Sequence, residues 1–233
     1  MKHIPRFYSE ADLGENISVA LSLEQMHHAS NVLRLSSGDL VRVFNSQFGE
    51  WNCKIVDVKK RLVECTSLFH ESRIEKGPIV ACSLINPKRF DFFLEKVTEL
   101  GVSEIIPIIS QYTQYRELNL QKALQKIILA CEQSRQFNIP VLREITKIED
   151  FLKKYTLNYQ VLVGDEKCCN EKLRDIILEK SAFLIGPEGG FSDEEYILFA
   201  EYNNLKKFSF GNNILRTETA AIAFVSAWKS CFF

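Results

Sequence analysis

Two stretches near the C-terminal end hold residue types at spacings that can do chemistry. The first is Phe183-Leu-Ile-Gly-Pro-Glu-Gly-Gly-Phe-Ser192, where an apolar run enters a glycine-rich turn directly. Ser192 with Glu195 forms an S-x-x-E capping box, so a helix is predicted to start there. Gly186, Gly189 and Gly190 permit backbone geometry and close approach that a Cβ forbids. At the carboxyl end of a parallel strand, such a turn lies where α/β sheets bind ligands. By itself it reads equally well as a plain tight turn. The GxxxxGK[ST] phosphate loop and the GxGxxG dinucleotide fingerprint are both absent. An anion cradle in a nucleotide-binding α/β protein is a competing reading; the missing lysine and the glycine spacing weigh against it. The second stretch is Phe210-Gly-Asn-Asn-Ile-Leu-Arg-Thr-Glu-Thr-Ala-Ala221. Here the polar cluster Arg216–Thr219 opens a helix that is otherwise apolar from Ala220 to Val225. Thr217 as N-cap and Glu218 facing the helix dipole account for two of the four. A cation at a helix N-terminus is at the wrong end of the dipole, so Arg216 needs another task.

Other reactive residue types carry less. His27 and His28 are adjacent, point to different faces of a helix and make a poor metal site. The seven cysteines (Cys53, Cys65, Cys82, Cys131, Cys168, Cys169, Cys231) are odd in number and hold no CxxC pair, which favours reduced thiols. No metal site is expected.

The elements that must position these stretches divide into two kinds. Up to about residue 72, short β-type runs dominate: 17–21, 40–44, 54–58 and 62–68. Turn signals at 36–39 and 45–50 separate them. A helix is predicted over 23–33, with Ser22 as cap. This reads as a small β barrel or sandwich. The pattern changes across 70–78, and after Pro78 strands (79–85, 105–109, 159–163, 182–185, 206–210) alternate with helices (92–100, 119–137, 171–178, 193–202, 217–231). Such alternation predicts a parallel sheet covered on both faces.

Composition bounds the partners. The chain is 46% hydrophobic and 25% charged, ordinary globular values. It has no apolar run of about 18 residues, and its start does not read as a signal peptide, so no membrane and a cytoplasmic location are expected. Net charge is −1, which argues against coating nucleic acid by bulk charge and leaves room for a local basic patch.

Taken together, Ile185–Ser192 and Ile214–Ala220 resemble the SPOUT superfamily of knotted methyltransferases and, more narrowly, its RsmE family, which methylates N3 of one uridine in 16S ribosomal RNA. The likeness extends along the chain: Ile4-Pro-Arg-Phe-Tyr8, His27-His28 with Val32–Leu35 and Gly38-Asp39, Glu95–Val102, and Cys131–Ser134 with Pro140. Asn86–Arg89 and Gln111-Tyr112 depart from the family pattern. The resemblance implies a PUA-like RNA-binding domain over 1–72 and a SPOUT methyltransferase domain over 73–233, with a deep trefoil knot at about 160–222. It implies S-adenosyl-L-methionine as cofactor, 16S ribosomal RNA or the small ribosomal subunit as partner, and a homodimer with the site at the subunit interface. The implied cofactor residues are Leu162, Val163 and Gly164, with Asp165 and Glu166 in the same loop; Ile185, Gly186, Pro187, Glu188, Gly189 and Gly190; and Phe210, Ile214, Leu215, Thr217, Thr219 and Ala220. Arg216 is implied as the electrostatic catalytic group, with Glu218 orienting it or acting as base. Arg6, Arg34, Lys88 and Arg89 are the candidate RNA contacts. The competing readings are a non-catalytic RNA-binding factor of the same fold and a related methyltransferase with another target nucleotide.

Overall fold

The computed structural model describes residues 4–73, 76–166 and 172–233. The chain parts into two compact units, Met1–Glu75 with Cys131–Ile139, and Lys76–Ala130 with Pro140–Phe233. The expected change of character at 70–78 therefore coincides with a boundary between units. The first unit also reclaims a segment that the sequence assigns wholly to the second.

The first unit is a five-stranded sheet. Its elements are β1 (Arg6–Tyr8), β2 (Ser18–Ala20), α1 (Leu23–His27), β3 (Leu40–Asn45), β4 (Gly49–Asp57) and β5 (Leu62–His70). The strand order is β1-β3-β4-β5-β2. Alternate residues of β3, β4 and β5 (Val41, Val43, Cys53, Ile55, Val63, Cys65) face a core closed by Met26 and Ala29. Strand β4 begins earlier than expected, because Gly49 lies inside the strand at φ +82. A Cβ there would come within 2.3 Å of the His70 carbonyl, so only glycine lets the strands approach. The helix expected over 23–33 is two pieces. Ser22 caps α1 in a full capping box with Gln25, and a π-turn follows at His28–Val32. The Ser30 hydroxyl donates to the Met26 carbonyl at 2.8 Å, a local bond that competes with the helix ladder. The chain then leaves through Arg34 at φ +57.

Strand β1, too short to read from sequence, overturns the placing of Arg6 among RNA contacts. Arg6 is buried. Its Nε meets Glu50 Oε2 at 3.0 Å, and its two terminal nitrogens donate to the carbonyls of Cys131 and Gln136 at 2.9 Å each. The guanidinium carbon lies 3.2 Å from the Phe44 ring centroid. Burial lowers the Arg6 pKa against the opposing pull of Glu50. The charge is spent inside the unit, and no face is left for a phosphate.

The second unit contains β6 (Ile79–Ser83), α2 (Pro87–Glu99), β7 (Glu104–Ile109), α3 (Leu120–Ser134, its last turn belonging to the first unit), β8 (Val141–Leu142), β9 (Thr146–Lys147), α4 (Ile148–Tyr155), β10 (Gln160–Gly164), α5 (Leu173–Ile176), β11 (Ser181–Ile185), α6 (Asp193–Ala200), β12 (Leu205–Phe208) and α7 (Thr217–Phe232). Asn86 caps α2, and Pro87 at its first turn extends the helix back from the expected 92. The short β8 and β9 and the helix α4 were not legible as separate elements. Helix α5 is shorter than the expected 171–178, whose first residue lies outside the described residues, as do Cys168 and Cys169. The sheet runs β12-β10-β11-β6-β7-β8, with β9 also on β7, and its pairs are parallel. Strands β6 and β11 are buried along their whole length, as a sheet covered on both faces requires. Ile79, Ala81, Val161, Val163, Ala182 and Leu184 face α4 and α6 on one side. Phe183 points to the other side and stacks on Phe224 of α7 at 4.2 Å. A PUA-like β domain followed by a parallel α/β domain is the fold class expected from sequence.

Candidate functional site

Strands β10, β11 and β12 are neighbours, so their carboxyl-end loops meet. Between them lies a cavity of about 310 Å³. Its walls are 164–166 after β10, 185–191 after β11, 208–210 at the end of β12, and 213–217 with Ala220 leading into α7; Tyr196 of α6 joins them.

The β11 turn is built for close approach. A Cβ on Gly186 would press on the Phe191 ring at 3.1 Å, and one on Gly189 would meet Cβ of Tyr112 at 3.2 Å. Gly190 adopts φ +72, and its N–H donates to the Pro187 carbonyl at 2.9 Å. Ser192 and Glu195 form the expected capping box at the start of α6. Glu195 does more than cap: its Oε2 accepts from Ser192 N–H and its Oε1 from Gln111 N–H, both at 2.8 Å.

The start of α7 differs from the sequence reading. Arg216, not Thr217, is the N-cap, and it caps with backbone geometry alone. Thr217 is the first helical residue, and its hydroxyl donates to the Gly186 carbonyl at 3.0 Å. A threonine read locally as a cap is therefore a clamp between the two glycine-bearing loops. Arg216 is exposed and lines the cavity. Among the described residues it has no ion pair or side-chain hydrogen bond. Glu218 is buried and off the lining, and among the described residues its Oε2 has no hydrogen-bond partner. Burial, reinforced by Glu218 and Glu188, pushes the nearby Cys82 thiol well up.

Of the expected cofactor residues, Gly164, Ile185–Gly190, Phe210, Ile214, Leu215, Thr217 and Ala220 line this cavity. Leu162 and Val163 do not, because both lie within the body of β10; the cavity meets the strand only at its last residue, Gly164, and then Asp165 and Glu166 beyond it. Thr219 is exposed and stands off the lining. Phe191, Tyr196, Phe208, Ser209 and Asn213 complete the wall, and the sequence reading passed over them. Asp165 is buried, with Lys207 Nζ at 3.9 Å from its Oδ2. Tyr196 bonds the same carboxylate, and its own pKa is raised by burial and then by Asp165. Arg34 and Lys88 are exposed, and Arg89 pairs with Glu188 at 3.3 Å.

The cavity is sized for a small ligand. It offers main-chain groups at the glycine turn, aromatic faces at Phe208 and Phe210, and carboxylates at Asp165 and Glu166. An adenosyl sulfonium needs apolar contact for its ring and has positive charge for carboxylates to meet, so these residues fit S-adenosyl-L-methionine. Among the described residues, no group of three His, Cys, Asp or Glu is placed to hold a metal ion, and no helix is long and apolar enough to cross a membrane.

The RNA methyltransferase domain family matches residues 75–229, and the RNA methyltransferase PUA domain family matches residues 22–66. The ribosomal RNA small subunit methyltransferase E of Rickettsia conorii is 33% identical over 232 residues, spanning 95% of this chain and 93% of that protein. The chain belongs to the ribosomal RNA small subunit methyltransferase E family. Among solved structures, the methyltransferase E of Neisseria gonorrhoeae bound to S-adenosyl methionine superposes with a TM-score of 0.84 at 28% identity, covering 98% of each chain. A Legionella pneumophila protein solved with bound cofactor SAM gives 0.87 at 29% identity, again over 98% of each chain.

Proposed function

We propose that this methyltransferase E family member transfers a methyl group from S-adenosyl-L-methionine to N3 of a uridine in 16S ribosomal RNA of the small subunit. The observation that carries the reading is the cavity at the ends of β10, β11 and β12, with the exposed Arg216 guanidinium on its wall. When bound, the cofactor supplies a methyl already activated on a sulfonium. What remains for the chain is to hold, orient and neutralise. Thr217, by clamping Gly186, fixes the α7 wall against the glycine turn. Arg216 sits where it lowers the cost of a uracil anion once the N3 proton leaves. Glu218, buried off the lining with one carboxylate oxygen unmet among the described residues, orients Arg216 or takes that proton. The target base must leave its stack to reach the cavity.

The same reading includes the knotted path over 160–222 and a cytoplasmic homodimer whose interface borders the site. Ile214 and Phe233, 78% and 73% exposed, offer apolar surface for that contact.

The test is methyl transfer from labelled S-adenosyl-L-methionine to small subunits lacking the modification, with the product mapped to the nucleotide. Arg216→Ala is expected to lower the rate ~10²-fold or more while calorimetric cofactor binding is retained. No transfer by the wild type would favour a non-catalytic RNA-binding factor, and transfer to another atom or nucleotide would favour a sister specificity.

A further inference from the structure

The loop after β7 lies against the glycine turn without lining the cavity, and it carries two exposed aromatic rings. Tyr112 is 48% exposed and Tyr115 36%. Single exposed rings are common on protein surfaces; these are unusual in how firmly their loop is held. Ser110 N–H donates to Thr113 Oγ1 at 2.9 Å, and the two hydroxyls lie 2.8 Å apart, both residues buried. Gln111 N–H is fixed by Glu195. Asn86, the cap of α2, reaches the Tyr115 hydroxyl at 3.4 Å. Tyr112 itself rests on Gly189, where an added Cβ would lie a tight 3.2 Å from the Tyr112 Cβ. A flat, solvent-facing ring is thus preorganised at the rim of the cavity. Arg116 follows Tyr115 on the same loop and Lys88 lies two residues after Asn86; both are exposed.

We propose that Tyr112, seconded by Tyr115, is a stacking platform for an unpaired base of the RNA strand at the mouth of the cavity. The assignment rests on the RNA methyltransferase reading above. An open ring face on a fixed loop beside the glycine turn suits an unstacked base, since base stacking on aromatics is tolerant of sequence and needs only an open face; the exposed Arg116 on the same loop is a candidate for the flanking phosphate. A folded protein partner would gain less from one isolated ring on a rigid loop.

The test uses the full chain with Tyr112→Ala, Tyr112→Phe and Tyr112→Trp. Two readouts are taken: anisotropy of a labelled, uridine-rich single-stranded RNA, and KM and kcat for methyl transfer to unmodified small subunits. Cofactor affinity by calorimetry and the melting temperature serve as controls. The alanine variant is expected to weaken RNA binding and raise KM roughly ten- to hundred-fold. Cofactor affinity and melting temperature should hold, and Phe and Trp should restore binding. Unchanged RNA binding in the alanine variant overturns the proposal. So does a loss of cofactor affinity, which would make the ring a mere prop for Gly189, or a failure of Phe to rescue, which would place the effect in the hydroxyl. A defect confined to assembled subunits, with free RNA bound normally, assigns the ring to a ribosomal protein and also overturns it. If the wild type transfers no methyl yet alanine weakens RNA binding, the platform stands and the methyltransferase reading falls.

Discussion

Gly189 and Gly190 are adjacent glycines required for opposite reasons. Gly189 is crowded by Tyr112; Gly190 has nothing within 4 Å of its missing Cβ and is held only by φ +72. The demand at Gly190 is conformational, so Gly190→Ala should cost about 1 kcal/mol and weaken cofactor binding. Gly190→Val should do worse, and Gly190→Asn, which tolerates left-handed backbone, should do less harm than either. Calorimetry with S-adenosyl-L-methionine decides; equal losses for Ala and Asn would show that bulk, not backbone, is the constraint. Gly190 and the Ser192–Glu195 box were legible because their demands are local, whereas the crowding of Gly189 by Tyr112 was not. The role of Thr217 was not, since its acceptor lies on another loop. Tyr196, Phe191 and Phe208 escaped notice because a ring lining a cavity and a ring filling a core look alike in sequence.

At the level of elements, α6 shows how one side chain ties two loops. Glu195 satisfies Ser192 N–H and Gln111 N–H at once. Glu195→Ala removes the return half of the capping box and leaves both donors unmet, an expected loss of about 2–3 kcal/mol, against ~1 kcal/mol for Ser192→Ala. Denaturant midpoints of the two variants provide the measurement; equal losses would mean that the Gln111 bond contributes nothing. The alternation of strands and helices was readable from hydrophobic period, and most strands fell within a residue or two of their expected bounds. The misses share a cause. Strand β1 and the pair β8 and β9 are two or three residues long, too short to show a period, and they exist because the sheet beside them offers unpaired edges.

At the level of the molecule, the first unit is closed by chain from far downstream. Within it, Glu132 Oε1 accepts from Tyr8 N–H at 2.9 Å and from Gln25 Nε2 at 2.8 Å. Burial holds this carboxyl above its ordinary range, opposed by those two bonds and by Arg6 and His28. A folded-state pKa raised above the unfolded one means the contribution is complete at low pH and fades as pH climbs through the folded value. Glu132→Gln keeps an acceptor for both donors and removes the charge. Its melting temperature should therefore gain on the wild type as pH rises from about 4 upward. A variant that instead loses ground with rising pH would show that attraction to Arg6 outweighs burial. The change near 70–78 was visible as a switch of period, but the return of Cys131–Ile139 was not, because it begins as the last turn of an unbroken amphipathic helix. The return has a consequence for biosynthesis. A nascent chain emerges N-terminal side first at about 5–20 residues per second, so Arg6 is out well before the residues that complete its bonding. The carbonyls of Cys131 and Gln136 that satisfy its guanidinium emerge only after β6, β7 and most of α3. The unit begun first is thus finished late: for seconds on the ribosome it waits, its inward cation half-partnered, for a segment made well after its own last strand.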